Sequence, residues 1–245
     1  MAMRILISND DGMTSPVLPE LIGWARKYGD VTCVVPSCEQ SGRSQAIDFT
    51  RAVEIKQLEI ADGVSVYAVD FTPADCVRFA VMGLDTTYDI VISGINQGYN
   101  LGDDIVYSGT CGAIFEGARM GIPGIALSSD FDRMSDVIPQ LDGLFAWIER
   151  NRLLDVNPLY NVNFPHNTRG IRITKQGGKY FDDDFIHLEG NLYKQVGEPL
   201  VRDFTDNSLD IDAVQNGYIS VTPLVLTRTQ MSAFDKLCKA DLGEI

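Results

Sequence analysis

The first half of the chain predicts a doubly wound, Rossmann-like α/β fold built on a mostly parallel sheet. Three observations carry that prediction. Short apolar runs of strand length recur along residues 3–128. Segments with apolar residues at helical spacing alternate with them. Most of the apolar runs stop in a loop rich in turn-forming or small polar residues, as strands do where they leave a sheet.

Met3–Ser8 (MRILIS) reads as a buried strand that stops in Asn9-Asp10-Asp11-Gly12. Pro16 suits the first turn of a helix, and Val17, Leu18, Leu21, Ile22, Ala25 and Tyr28 recur at helical spacing until Gly29. Val31–Val35 is a second strand, stopped by Pro36, and Ser65–Val69 is a third. Thr72-Pro73-Ala74-Asp75 opens a helix, with Thr72 as cap, Pro73 in the first turn and a favourable charge at Asp75. Asp89–Ser93 is a strand followed by Gly94, Thr110–Met120 a helix ending at Gly121, and Ile125–Ser128 another strand. Strands alternating with helices in this way give a parallel sheet covered on both faces. Ligands bind such sheets beyond the carboxyl ends of the strands, so the loops after Ser8, Val35 and Ser93 are the ones to inspect.

The second half is less regular. Ser135–Arg150 and Thr229–Lys239 read as helices, and Tyr160–Phe164, Gly170–Thr174 and Gly217–Thr222 as strands. Residues 176–210, rich in Gly, Asp and polar side chains, predict a projecting β-hairpin arm. With no repeat and no clear linker, residues 1–245 are expected to form one domain carrying that arm and a terminal helix.

The formal net charge of −14 argues against a partner with a long nucleic-acid backbone. It leaves room for small anions, because a metal ion can reverse the field inside a pocket. The five cysteines, Cys33, Cys38, Cys76, Cys111 and Cys238, are odd in number and form no CxxC pair, so buried free thiols in a reducing compartment are expected rather than disulfides. The apolar start at Met1–Ser8 is too short for a signal peptide or a membrane span, which predicts a cytoplasmic protein with no membrane partner.

Three loops carry oxygen-rich side chains. Asp10 and Asp11 can direct two hard carboxylate ligands at one Mg²⁺, Mn²⁺ or Ca²⁺, or can form an ordinary Asp-Gly turn with Asp11 capping a helix. Gln40-Ser41-Gly42-Arg43-Ser44 suits an anion, and Ser41 can add a neutral ligand, or the segment is a solvated loop. In Ser93–Gly102 three glycines allow close backbone approach and Asn96 offers an amide oxygen. Ser108-Gly109-Thr110 then precedes a helix, a ready phosphate site or simply a cap.

What is missing narrows the chemistry. The chain has no GxxxxGK[ST], no early GxGxxG and no GxSxG. Cys38 and Arg43 are one residue too close for a C-x5-R thiolate site, and adjacent Asp10-Asp11 does not match DxDx[TV]. His166 and His187 are too few for a His-rich bimetal site. A metal-activated water remains as the nucleophile.

Taken together, Arg4–Gly12, Gln40–Ser44, Thr72–Cys76, Ser93–Gly102 and Ser108–Gly117, with weaker matches at Asn161–Pro165 and Gly217–Pro223, resemble the SurE family, the survival-protein nucleotidases. The resemblance implies a SurE-type α/β fold assembling as a homodimer or homotetramer through its arm. It implies hydrolysis of nucleoside 5′- and 3′-monophosphates, with short polyphosphate as a side substrate, using one divalent cation per subunit (Mg²⁺ or Mn²⁺, with Ca²⁺ as a substitute in crystals). The family's metal ligands fall on Asp10, Asp11, Ser41 and Asn96, with Asp10 and Asp11 catalytic. Asn9, Ser108, Gly109 and Thr110 are expected to cradle the phosphate. Phe71 stands where the family usually has Gly and Tyr99 where it often has Pro, which bears on substrate preference. Two other classes fit the same loops: a phosphate or nucleotide sensor without turnover, and an α/β interaction protein in which Asp10-Asp11 is only a turn.

Overall fold

A computed structural model describes residues 2–61 and 63–238. In chain order the elements are β1 (Met3–Ser8), α1 (Leu18–Ala25), β2 (Gly29–Pro36), β3 (Ile55–Leu58), β4 (Ser65–Val69), α2 (Pro73–Arg78), β5 (Ile90–Gln97), α3 (Gly109–Arg119) and β6 (Gly124–Ser129). There follow α4 (Ile138–Arg150), α5 (Leu153–Val156), β7 (Leu159–Phe164), β8 (Gly170–Ile173), β9 (Phe181–His187), β10 (Tyr193–Pro199), α6 (Asp210–Gln215), β11 (Tyr218–Pro223) and α7 (Met231–Leu237).

Nine strands form one sheet in the order β3-β4-β2-β1-β5-β6-β7-β11-β8, and β9 and β10 form a separate antiparallel hairpin. From β4 to β7 every neighbouring pair is parallel. Alternate residues of a strand face opposite sides. Ile5 and Ile7 therefore pack with Leu21, Ile22, Leu141 and Leu144 of α1 and α4. Leu6 points the other way, into a core with Val77 and Ile114 of α2 and α3. Each such fully buried Leu or Ile contributes roughly 1.5–3 kcal/mol. From β1 the chain builds outward to β2 and β4 on one side, then to β5, β6 and β7 on the other. The strand order reverses between β1 and β5, and a crevice opens there above the carboxyl ends.

The helix starts follow the local chemistry. Thr72 accepts from the Asp75 amide at 3.1 Å, and Ser108 accepts from the Cys111 amide at 3.0 Å. Gly29 does more than end a helix. It opens β2 so close to β1 that a Cβ there would lie 1.8 Å from the Met3 carbonyl oxygen.

Several elements differ from the sequence expectation. β3 was not expected; Ile55-Lys56-Gln57-Leu58 is a half-buried edge strand antiparallel to β4, and Lys56 suits an unpaired edge. β5 runs on to Gln97 instead of stopping at Ser93, because a bulge absorbs one extra residue: Ser93 faces Ala126 while Asn96 faces Ser128. The short helices α5 and α6 have too few turns to show periodicity. The expected helix at Thr229–Lys239 is observed over Met231–Leu237, and Lys239 lies outside the described residues. All five cysteines are free, but only Cys33, Cys76 and Cys111 are buried; Cys38 and Cys238 sit in exposed turns. Among the described residues no helix is long and apolar enough to cross a membrane.

The entry to β5 is tied to β1 by Asp89, which accepts from the Arg4 amide at 2.8 Å and pairs with its guanidinium at 2.9 Å. Arg4 holds the Asp89 carboxyl down at about 2. A carboxylate with a depressed folded pKa adds stability above its unfolded value near 4 and loses it as pH falls through about 2. Asp89→Asn is expected to lower the melting temperature at neutral pH, and the gap from the parent should close between about pH 4 and pH 2 in a thermal-melt series.

Candidate active site

Asp10 and Asp11 follow β1 in a loop closed by Asn9, whose amide oxygen accepts from the Gly12 amide at 3.0 Å while its nitrogen donates to the Gly12 carbonyl at 3.1 Å. Gly12 has φ +81°, and a Cβ there would press within 2.8 Å of the Cys38 backbone. The turn is thus locked against the end of β2 before it reaches any ligand.

Asp10 is buried, and Thr110 at the start of α3 holds both of its oxygens. The Thr110 hydroxyl donates to Oδ1 at 2.7 Å and the Thr110 amide to Oδ2 at 3.1 Å. Gly109 permits this approach, because a Cβ there would sit 2.9 Å from Asp10 Cβ. Asp11 is half-buried and, among the described residues, accepts only from the Gln97 amide, at 3.3 Å to Oδ2. Burial pushes the Asp10 carboxyl up, against the Thr110 hydrogen bonds that favour its charged form. Burial first, then the neighbouring Asp10 charge, pushes Asp11 up to about 7. Neither carboxylate has an ion-pair partner among the described residues.

Asn96 stands across the crevice on the bulged end of β5. Its amide nitrogen donates to the Gly98 carbonyl at 2.8 Å, and its oxygen accepts no hydrogen bond among the described residues. Ser41 is exposed, next to Gln40, whose amide donates to the Asp10 carbonyl at 2.7 Å. The structure therefore gathers the loops carrying all four expected metal ligands at the β1/β5 crevice. Among the described residues no three His, Cys, Asp or Glu side chains converge. The donor set here is of another kind, two carboxylates with an amide and a hydroxyl. Hard oxygen donors around two desolvated, uncompensated negative charges fit a divalent cation of the Mg²⁺ or Mn²⁺ type.

The expected phosphate cradle divides. Among the described residues the Ser108 hydroxyl donates to no group while its oxygen caps α3, and the Gly109 amide makes no backbone hydrogen bond. Thr110 differs from the expectation, because both of its donors go to Asp10. Asn9 differs too, since it is fully buried and its amide closes the Gly12 turn.

Sequence reasoning missed the buried polar layer behind Thr110. The Asn100 side chain donates to Ser128 Oγ at 2.8 Å and approaches Thr110 Oγ1 at 3.4 Å. Asn163 accepts from the Asn100 amide at 2.8 Å and donates to its carbonyl at 3.0 Å, and Asn161 donates to that carbonyl at 2.7 Å. The available signal was two asparagines at alternate positions of the fully buried strand LYNVNF.

A cavity of about 670 Å³ opens beside Asn96 and Gln97 and is walled by Tyr99, Asp130, Phe131 and Arg169. A second, of about 520 Å³, lies at the amino-terminal end of β1 and β5, among Met3, Trp24 and Phe145, with none of the candidate ligands. Of the two unusual residues, only Tyr99 borders the site. Phe71 lines a separate groove with Phe49 and Met82 and lies beneath the Arg51 guanidinium at 5.1 Å.

Residues 5–183 match the family described as Survival protein SurE. The chain belongs to the SurE family. It is 34% identical over 248 residues to the 5′-nucleotidase SurE of Legionella pneumophila, covering 96% of both chains. It is 36% identical to the 5′-nucleotidase SurE of Petrotoga mobilis, covering 96% of this chain and 98% of that one. It is 35% identical to the 5′/3′-nucleotidase SurE of Edwardsiella ictaluri, over 97% of this chain and 95% of that one. The crystal structure of the SurE protein from Aquifex aeolicus superposes with a TM-score of 0.78 at 31% identity, covering 96% of this chain and 98% of that one. The doubly wound architecture expected from the alternation of strands and helices is thus the SurE architecture.

Removing the Asn163 amide would leave the buried Asn100 N–H without its partner. Asn163→Ala is therefore expected to destabilise the fold by about 2–4 kcal/mol in urea titration.

Proposed function

We infer that this SurE chain is a nucleotidase, a phosphomonoesterase that releases inorganic phosphate from nucleoside 5′- and 3′-monophosphates. Its kinship with SurE proteins named 5′- and 5′/3′-nucleotidases supports the activity. The observation that carries the site is the desolvated Asp10–Asp11 pair facing the free amide oxygen of Asn96 across the strand-order reversal.

Asp10, Asp11, Ser41 and Asn96 would hold the cation. When bound, it supplies charge neutralisation and polarises the phosphoryl group toward in-line attack by water. The chain's own groups do the rest. Thr110 fixes Asp10 in a single orientation. Asp11 Oδ1 accepts no hydrogen bond among the described residues, which leaves it free to take a proton from the attacking water. The Ser108 hydroxyl and the Gly109 amide, at the positive end of α3, hold the phosphate oxygens. Short polyphosphate would reach the same donors as a secondary substrate.

Phosphate release from a panel of nucleoside monophosphates, with Mn²⁺, Mg²⁺ or chelator, tests the scheme. Release is expected with either metal and not with chelator. Asp11→Asn should lower turnover by about a hundredfold or more, since charge stabilisation by a metal is worth several kcal/mol, and should raise the melting temperature of the metal-free protein above pH 7, because it removes a charge that burial and Asp10 disfavour. Full turnover by that variant at saturating metal would sink the assignment.

The protein is also proposed to assemble with itself. The β9–β10 hairpin exposes Phe185, Leu188, Leu192 and Tyr193, and α7 exposes Met231, Phe234 and Leu237 with no buried residue of its own. Apolar side chains grouped this way mark surfaces that other chains cover. Light scattering is expected to give two or four times 27.0 kDa, and a stable monomer at micromolar concentration would refute it.

A further inference from the structure

We propose that Asp130 and Phe131, at the end of β6, form the nucleoside seat of this site: the Phe131 ring stacks on the base and the free oxygen of Asp130 accepts a hydrogen bond from a sugar hydroxyl. The inference rests on the nucleotidase reading above and adds the residues that tell a nucleotide from any other phosphate ester.

Phe131 is 62% exposed, so a face of its ring is open to a flat ligand. It is nevertheless held in place. Gly98, at φ +115°, donates its amide to the Ser129 carbonyl at 2.8 Å. A Cβ on Gly98 would come within 3.2 Å of the Phe131 ring, so the glycine lets the ring settle against the backbone just past Asn96. The ring also lines the 670 Å³ cavity that begins at Asn96 and Gln97. A supported ring in a cavity beside the phosphate-processing groups is a platform for a flat heterocycle, and bases of any identity stack on such a ring.

Asp130 has a matching asymmetry. Its Oδ1 accepts from the Phe131 amide at 2.8 Å, and its other oxygen accepts no hydrogen bond among the described residues. It borders the same cavity, at the carboxyl end of the strand next to β5. A carboxylate there cannot favour a phosphate, which it would repel, but it is a strong acceptor for a neutral hydroxyl. The cavity thus sorts its ligand by position, with the anion at Asn96 and the uncharged sugar and base beyond it.

The test compares adenosine 5′-monophosphate, its 2′,3′-dideoxy analogue and glycerol 2-phosphate as substrates with Mn²⁺, together with calorimetry of adenosine alone. Phe131→Ala is expected to raise KM for the adenosine nucleotide about tenfold, leave kcat/KM for glycerol 2-phosphate within about twofold, and abolish adenosine binding. Phe131→Trp should restore both nucleotide KM and adenosine binding. The parent should favour the ribonucleotide over the dideoxy analogue by about tenfold, and Asp130→Ala should bring that ratio close to one. Equal losses on the nucleotide and on glycerol 2-phosphate, or an unchanged nucleotide KM in Phe131→Ala, would overturn the seat. A parent protein that releases phosphate from none of the three would overturn the nucleotidase reading instead, and the adenosine calorimetry would still decide whether Phe131 seats a nucleoside.

Discussion

Two consecutive carboxylates withdrawn from water, with no cationic side chain paired to them among the described residues, set the terms for everything else in the crevice. Burying one such charge is costly and burying a second beside it is costlier, because the Asp10 charge adds to desolvation in raising Asp11. The fold offsets this unequally. Asp10 receives two hydrogen bonds from Thr110, a residue 100 positions away, and Asp11 receives a single long one from Gln97. One carboxylate is fixed and the other keeps an oxygen available. Such a division suits a site in which one group anchors an ion and its neighbour handles a proton.

The same division appears in the loop that carries Ser41. Its flanks are fastened almost residue by residue. Gln40 bonds the Asp10 carbonyl, Ser44 bonds the Tyr107 and Val106 carbonyls, and Gln45 donates to buried Glu116 at 3.0 Å. The Ala46 carbonyl accepts from Thr72 at 2.6 Å, and the Asp48 amide donates to Asp75 at 3.0 Å. Between those fastenings Ser41, Gly42 and Arg43 are exposed, and Gly42 takes φ +73° with open space around it. Thr72, Asp75 and Glu116 lie in motifs as distinctive as the aspartate loop, yet their side chains are occupied in holding the segment that presents Ser41. A ligand-bearing loop keeps its geometry only if a supporting layer holds it.

This explains which parts of the molecule were legible in the sequence. Loops at strand ends were, because Asn9–Gly12, Gln40–Ser44 and Ser93–Gly102 interrupt apolar runs with clustered Asn, Asp, Ser, Gln and Gly. The parallel centre was legible for the same reason. The division of labour inside the loops was not. Nothing local separates Ser108, which keeps a free donor, from Thr110, whose donors are consumed by Asp10, since that depends on a contact between β1 and α3 that only the folded sheet creates. Asn9 has the composition of a ligand, but closing the turn onto Gly12 uses its amide first. β3 was missed because an edge strand with one half-buried face shows too weak an alternation over four residues. Asp130 and Phe131 were missed because they follow a strand whose end carried no motif.

The same dependence on three dimensions separates the two residues at which this chain departs from the family pattern. In the sequence Phe71 and Tyr99 have equal standing, each a bulky ring in place of a small or rigid residue next to a motif. In the fold, Phe71 turns into a groove with Phe49 and Met82, where its ring supports the Arg51 guanidinium that pairs with Asp48 and Asp70. That role is structural, at the far side of the segment fastened by Asp75. Tyr99 instead packs beside Tyr180 and Leu101 and walls the cavity that starts at Asn96. Its hydroxyl is neutral across the physiological range, and burial favours that neutral form further, so it can donate a hydrogen bond to a ligand without adding to a field already strongly negative. A cavity that must admit the uncharged half of an anionic substrate gains from neutral donors at its wall and would be closed by further charge. Of the two departures, Tyr99 alone borders the cavity proposed to seat the nucleoside, whereas Phe71 lies against Arg51 and the segment that follows Ser41.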